Sequence, residues 1–527
     1  MVALSFLDRE HTVAKPGYSR WLIPPAALAI HLCIGQAYAT SVYKTALVKH
    51  FDVSLTAVGI IFSIGIVMLG VSAAVMGTWV ERVGPRRAMF TAACFWASGF
   101  LIGALGIATR QLWLVYLGYG FIGGIGLGIG YISPVSTLIK WFPDRPGLAT
   151  GMAIMGFGGG ALIAAPLSRQ LLSLYDPNYL PSVTTSIASG TAVAELFLTL
   201  GVVYFLVMML GVLNVRVPPP GWRPARFHPA QLKSKPLVTT AHVSASGAVR
   251  TPQFWLLWTV LFCNVTAGIG ILEQASPMIQ DFFRDGGGSA VTVTAAAGFV
   301  GLLSMFNMGG RFVWSATSDF IGRKPMYMVY LGLGMVLYLL LALVGSTSTA
   351  LFVVLAAAIL SFYGGGFATI PAYLRDLFGT YQVGAIHGRL LTAWSMAGIA
   401  GPLIINRFLD AQGKPGNLVA ADYRTALFTM VGVLAIGFIA NLLVRPVAER
   451  HHEKVHSDAF AEAREVEPSA GARAPNPPPG ANAAMTEHAS PPAGQTARLV
   501  VSWLVVLTPL AYGVFQTVKS ILPLFGG

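Results

Sequence analysis

A single arginine, Arg311, stands inside a long apolar run, eight residues before Asp319. At 1.5 Å per helical residue it lies about 12 Å from the end of that run. A charge at such depth is costly in hydrocarbon and usually functional. A guanidinium can grip a carboxylate through two parallel hydrogen bonds, so Arg311 is expected to hold a small anion; the alternative is a structural latch to a carbonyl or an acid. Polar-tipped companions recur in other apolar runs: Gln36, Tyr131 and Trp394 are expected to share the binding of such an anion. Glu273 and His31 could carry a proton, His31 because imidazole titrates near neutrality. Their plainer readings are a boundary residue facing water and a packed, hydrogen-bonded core histidine.

Other chemistries find no support. The glycine clusters at Gly156, Gly158 to Gly160 and Gly364 to Gly366 have no strand before them and no phosphate-loop lysine after them. Cys33, Cys94 and Cys263 lie within apolar runs without metal-ligand spacing. There is no nucleophile–base set and no cofactor fingerprint, so neither an enzyme nor a cofactor is expected.

The elements that must position these residues follow from composition. The 527 residues are 55% hydrophobic and only 10% charged, well below the roughly 25% charged residues of soluble domains. Apolar runs long enough to cross a bilayer recur at 21–42, 55–78, 88–108, 112–139, 149–172, 190–213, 253–279, 293–316, 326–346, 349–373, 389–408 and 425–444. The expected class is an all-α, polytopic membrane protein. Its net charge of +13 suggests nucleic acid only until the basic residues are located: they gather in alternate loops, as cytoplasmic loops do. The expected partners are therefore a lipid bilayer and a small carboxylate, with no nucleic acid. The charge bias puts residues 1–20, the basic loop 214–252 and the chain after 445 in the cytoplasm of a bacterial-type inner membrane. Two six-helix units, 21–213 and 253–445, flank the basic loop. Residues 446–497, with Pro477 to Pro479, lack the composition of a core and read as a disordered linker. The apolar stretch in 498–527 is expected to be a thirteenth span, the alternative being a helix lying in the interface.

The two units repeat. Gly77 precedes Glu81 by four, with Gly84 three later and the basic Arg86 and Arg87 behind it; Ser315 precedes Asp319 by four, with Gly322 and then Arg323 and Lys324. The carboxylates are 238 residues apart, while Pro134 and Pro371, like Gly151 and Gly388, are 237 apart. Two landmarks at nearly one offset indicate an internal duplication. The repeated loop reads as a cytoplasmic latch, in which a carboxylate faces a helix N-terminus or an arginine. Arg82, together with Arg375 and Asp376 at the end of the tenth run, belongs to the same gate.

The loop motif resembles the signature of the major facilitator superfamily, with Glu81 where aspartate is usual. The strings IGLGIGYISPVSTLIKWFPDRPGLATG from Ile125, YGGGFATIPAYLRDLFG in the tenth run and GRLLTAWSMAGIAGP in the eleventh are similar to the oxalate/formate antiporter family, over residues 20–445. The resemblance implies two rocking halves and organic-anion exchange, with function as a monomer. Oxalate-type members are expected to use two cations, from the eighth and eleventh helices. Arg311 matches the first, but Trp394 stands at the second. One arginine balances one charge, and a second negative charge would be expensive in low dielectric. The expectation is a monocarboxylate such as formate or pyruvate, with oxalate admitted if Arg389, His387 or His31 helps. Proton-coupled symport is the alternative, and a carrier-like membrane sensor the second.

Overall fold

A computed structural model describes residues 2–53, 55–179, 187–219, 222–224, 237–239, 241–283, 291, 293–412, 418–453 and 494–521. The described residues contain thirteen long helices and no strand: α1 (Ile23–Ile34), α2 (Leu55–Val83), α3 (Pro85–Ala108), α4 (Gly123–Trp141), α5 (Pro146–Tyr175), α6 (Gly190–Asn214), α7 (Pro252–Phe282), α8 (Val293–Ile321), α9 (Arg323–Val344), α10 (Thr349–Phe378), α11 (Thr392–Gln412), α12 (Arg424–Leu443) and α13 (Gln495–Ile521). Most of the linker at 446–497 and much of the loop at 214–252 lie outside the described residues.

Helix is what these sequences favour when water is absent, because every backbone group must then be satisfied within the segment. Twelve described helices are long and apolar enough to cross a membrane; they include α13 and exclude α8, which carries Arg311. The exposed residues show which solvent surrounds the bundle. Leu198, Val202, Leu206 and Leu210 are spaced four apart on α6 and are 47–60% exposed, an apolar stripe suited to lipid. Prolines sit at the starts of α3, α5 and α7, where the missing N–H costs nothing.

Expected spans and observed helices differ most in the fourth and eleventh. The fourth begins as a short helix at Leu112–Val115 and a π-helical stretch at Tyr116–Ile122 before α4. The eleventh starts earlier than expected: a separate helix, Val383–Leu390, precedes α11 with one intervening residue, Leu391. Gly384 and Gly388 give this short helix a surface on which α2 can lie close, which hydropathy alone does not register.

The six-helix units meet along α2 and α11, and along α5 and α8. Both repeated loops turn through a glycine with positive φ, +85° at Gly84 and +93° at Gly322, a backbone region that only glycine enters freely.

Candidate functional site

Arg311 is buried, with 0% exposure, where α8 crosses α5. Gly158 on α5 makes room for it: a Cβ there would lie 3.2 Å from Arg311 Nε. Nε donates to Asn307 Oδ1, one turn earlier, at 3.0 Å. Nη1 donates to the Ile154 carbonyl of α5 at 3.3 Å, linking the two halves. Nη2 is buried with no partner. The guanidinium lies over two rings, 5.1 Å from the centroid of Phe367 and 5.8 Å from that of Phe157.

Those rings belong to an aromatic box. Trp394 meets Phe367 at 4.6 Å, Phe157 at 5.4 Å and Tyr131 at 5.7 Å between ring centroids. Tyr131 also packs on Phe157 at 5.6 Å and Phe367 at 5.7 Å. The Tyr131 hydroxyl and the Trp394 indole N–H are buried without partners. Buried polar groups are almost always satisfied, and an indole N–H and a guanidinium can only donate. The box therefore holds unpartnered donors together with one positive charge, chemistry that suits an anion. Tyr38 closes one side, its ring 5.1 Å from Phe157, and faces Tyr363 of α10.

Three of the four residues expected to bind an anion, Arg311, Tyr131 and Trp394, thus come together. Gln36 does not join them. Its amide donates to the Tyr43 hydroxyl at 2.9 Å and accepts from Tyr119 at 2.9 Å, a network within the first unit. His31 is fully buried against Tyr131, its ring edge-on at 5.3 Å and Nε2 3.3 Å from the Tyr131 carbonyl. Glu273 lies on α7, but its side chain is outside the described residues.

Phe157, Phe367 and Asn307 were not picked out by sequence reasoning, which looked for polar tips. Phe157 carried a legible signal: it precedes Trp394 by 237 residues, the offset of the internal repeat. The two rings are symmetry mates that meet where the halves face one another.

The helix ends that carry the two repeated loops are fastened unequally. Asp319 accepts from the backbone N–H groups of Gly147 and Leu148, both at 2.8 Å, so the carboxylate of one half caps helix α5 of the other. It also pairs with Arg323 at 2.6 Å, and Arg323 pairs with Asp376 at 3.1 Å. Arg375 holds Asp376 at 3.0 Å and donates to the Pro143 carbonyl, across the halves, at 3.2 Å. In the first copy, Glu81 instead pairs with Lys140 at 2.6 Å and accepts from Ser136 at 2.6 Å, both on α4 of its own half. Gly77 approaches the other half so closely that a Cβ would lie 2.8 Å from Ala385 Cα. Arg86 binds the carbonyls of Phe6 and Val215, fixing the N-terminal segment. Arg82 is exposed and, among the described residues, donates to the Thr78 carbonyl of its own helix rather than across the halves.

The comparisons agree with this architecture. The family model described as Major Facilitator Superfamily matches residues 26–402 and 310–527. The oxalate:formate antiporter of Oxalobacter formigenes is 26% identical over 437 residues, covering 81% of this chain and 93% of that protein. Apicoplast pyruvate carrier 1 of Toxoplasma gondii is 25% identical over 386 residues, covering 66% and 69%. The crystal structure of the transporter FucP in the outward conformation matches with a TM-score of 0.59 at 15% identity, over 80% of this chain and 99% of that one; this likeness speaks to fold alone. A duplicated helical bundle and a family match over most of its length together make this chain a multi-pass membrane transporter that belongs to the Major Facilitator Superfamily.

Proposed function

We propose that the chain is a secondary carrier of small monocarboxylates such as formate or pyruvate, exchanging one anion for another across a bacterial plasma membrane, with its N-terminus in the cytoplasm. The observation that carries this reading is the unpartnered Nη2 of Arg311, buried beside the unpartnered donors of Tyr131 and Trp394. One guanidinium offsets one carboxylate, and the surrounding rings favour a small, compact substrate. Relatives that carry an oxalate:formate exchanger's or a pyruvate carrier's name support the substrate class. The site lies where both halves contribute walls, so rocking of one half against the other would open it to each side in turn.

Labelled formate uptake into proteoliposomes tests this. Uptake is expected to require unlabelled anion inside and to be competed by pyruvate. Uptake into empty vesicles driven by a pH gradient would replace exchange with proton symport.

The proposal extends to α13 as a thirteenth span. Its 27 residues reach about 40 Å as a helix. At one end Gln495 bonds Ser19 and Gly17, and Arg498 bonds Asn214; at the other Thr517 rests on Gly301 of α8. Between them Leu510 packs with Leu28 of α1 and Met308 of α8, so α13 bridges the two halves while Val501, Leu504 and Phe515 stay 56–65% exposed. A cysteine appended after Gly527 is expected to react with an impermeant maleimide added outside intact cells. Labelling only after lysis would place that end in the cytoplasm.

A further inference from the structure

The box leaves one titratable side chain unexplained. His387 lies on the short helix Val383–Leu390, only 1% exposed, with neither ring nitrogen partnered. Its ring packs against Tyr131, a wall of the box, at 5.8 Å between centroids. Of the three side chains that could supply a second positive charge, Arg389 is partly exposed and His31 already holds the Tyr131 carbonyl. His387 alone is buried with both nitrogens uncommitted.

The charged and titratable groups around His387 are accounted for. His31 of α1 and Tyr131 of α4 are its neighbours in the box. Glu81 of α2 faces Gly384, one turn earlier on the same helix, but is held by Lys140 and Ser136 of α4. Arg375 and Asp376 of α10 are held by each other and by Arg323. The short helix Ala245–Val249 that also packs here has no charged residue, α7 carries Asp281, bound to Tyr423, and Glu273, whose side chain is outside the described residues, and α11 contributes the indole of Trp394. No free carboxylate among the described side chains is available to stabilise a histidinium permanently. An uncompensated cation in a low-dielectric interior is costly, so a charge on this ring calls for a negative charge beside it.

Resting on the monocarboxylate reading above, we propose that His387 is a conditional second cation, through which the site admits a short dicarboxylate together with one proton. A monocarboxylate needs Arg311 alone. A dianion held by Arg311 leaves its second carboxylate uncompensated, and a proton taken up by His387 from solution completes the balance: two positive charges, two negative. The carrier would then move dicarboxylates with a proton and monocarboxylates without one.

By linkage, binding that takes up one proton tightens as pH falls, about tenfold per unit while the free ring is neutral. The probe is oxalate as competitor of labelled formate exchange in proteoliposomes, from pH 8 down to about the ordinary imidazole range near 6.5. The half-inhibiting oxalate concentration is expected to fall about tenfold per pH unit, while that of unlabelled formate stays level. In His387→Gln the oxalate slope is expected to vanish, and in His387→Arg oxalate is expected to compete strongly at every pH. A slope that survives His387→Gln would mean that the proton travels on the oxalate and would overturn the proposal. So would loss of the slope in His31→Gln but not in His387→Gln, or an oxalate effect independent of pH in the unaltered chain. A protein that exchanges no carboxylate at all would instead remove the parent reading.

Discussion

An Arg311→Gln chain is expected to lose carboxylate binding by at least about 30-fold while remaining as stable to heat as the unaltered protein. The first half follows from charge. Truncating one partner of a buried, hydrogen-bonded charge pair costs about 2–5 kcal/mol, and each 1.4 kcal/mol is about tenfold. Tyr131 and Trp394 could still donate, but neutral donors do not offset a carboxylate in low dielectric. The second half follows from the empty valence. Arg311 Nη2 is buried without a partner, so removing the guanidinium relieves an unmet desolvation cost as it breaks the bonds to Asn307 and Ile154. Arg311→Lys keeps the charge but not the planar fork, and is expected to fall between the two. Equilibrium binding by calorimetry and thermal unfolding in detergent separate the roles. Unchanged affinity with a large drop in melting temperature would mean that Arg311 only ties α8 to α5.

An Asp319→Asn chain is expected to open at the end that carries the repeated loops, which the proposed topology puts in the cytoplasm. Asp319 does two things at once: it caps the first turn of α5, through Gly147 and Leu148, and it offsets Arg323. Breaking a buried pair costs about 3–5 kcal/mol. Arg323 keeps Asp376 as a partner, which places the loss near the lower figure, or about 150-fold in the closed-to-open ratio. A cysteine at Ala385, 1% exposed beside Gly77, reports the change. Its reaction with a maleimide from the cytoplasmic face is expected to rise sharply in Asp319→Asn. The same background with Glu81→Gln should show a smaller rise, because Glu81 is bound within its own half. Equal labelling in all three chains would count against the latch. The two copies of the motif look equivalent in sequence, and only the spatial partners distinguish them.

That contrast marks where sequence stops. The helices, their number, the duplication and the turn glycines are local or periodic properties: hydropathy over about twenty residues, charge in alternate loops, and an offset repeated at Pro134/Pro371 and Gly151/Gly388. Arg311 was legible too, because a charge in an apolar run needs a reason wherever it folds. What the sequence by itself determined is thus a duplicated, lipid-solvated bundle with a cation deep inside one of its apolar runs. Which side chains meet that cation is a different kind of fact, set by helix crossings that bring in Phe157 from the first half and Phe367 from the second. Gln36 has the right chemistry yet is consumed by Tyr43 and Tyr119. Phe157 and Phe367 have no polar atom and yet carry the guanidinium. His387 looks like an ordinary loop-side histidine until the Val383–Leu390 helix seats it against Tyr131. Only the tertiary structure decided these pairings, because a buried polar group is defined by what its neighbours leave unsatisfied, and those neighbours come from other helices of either half.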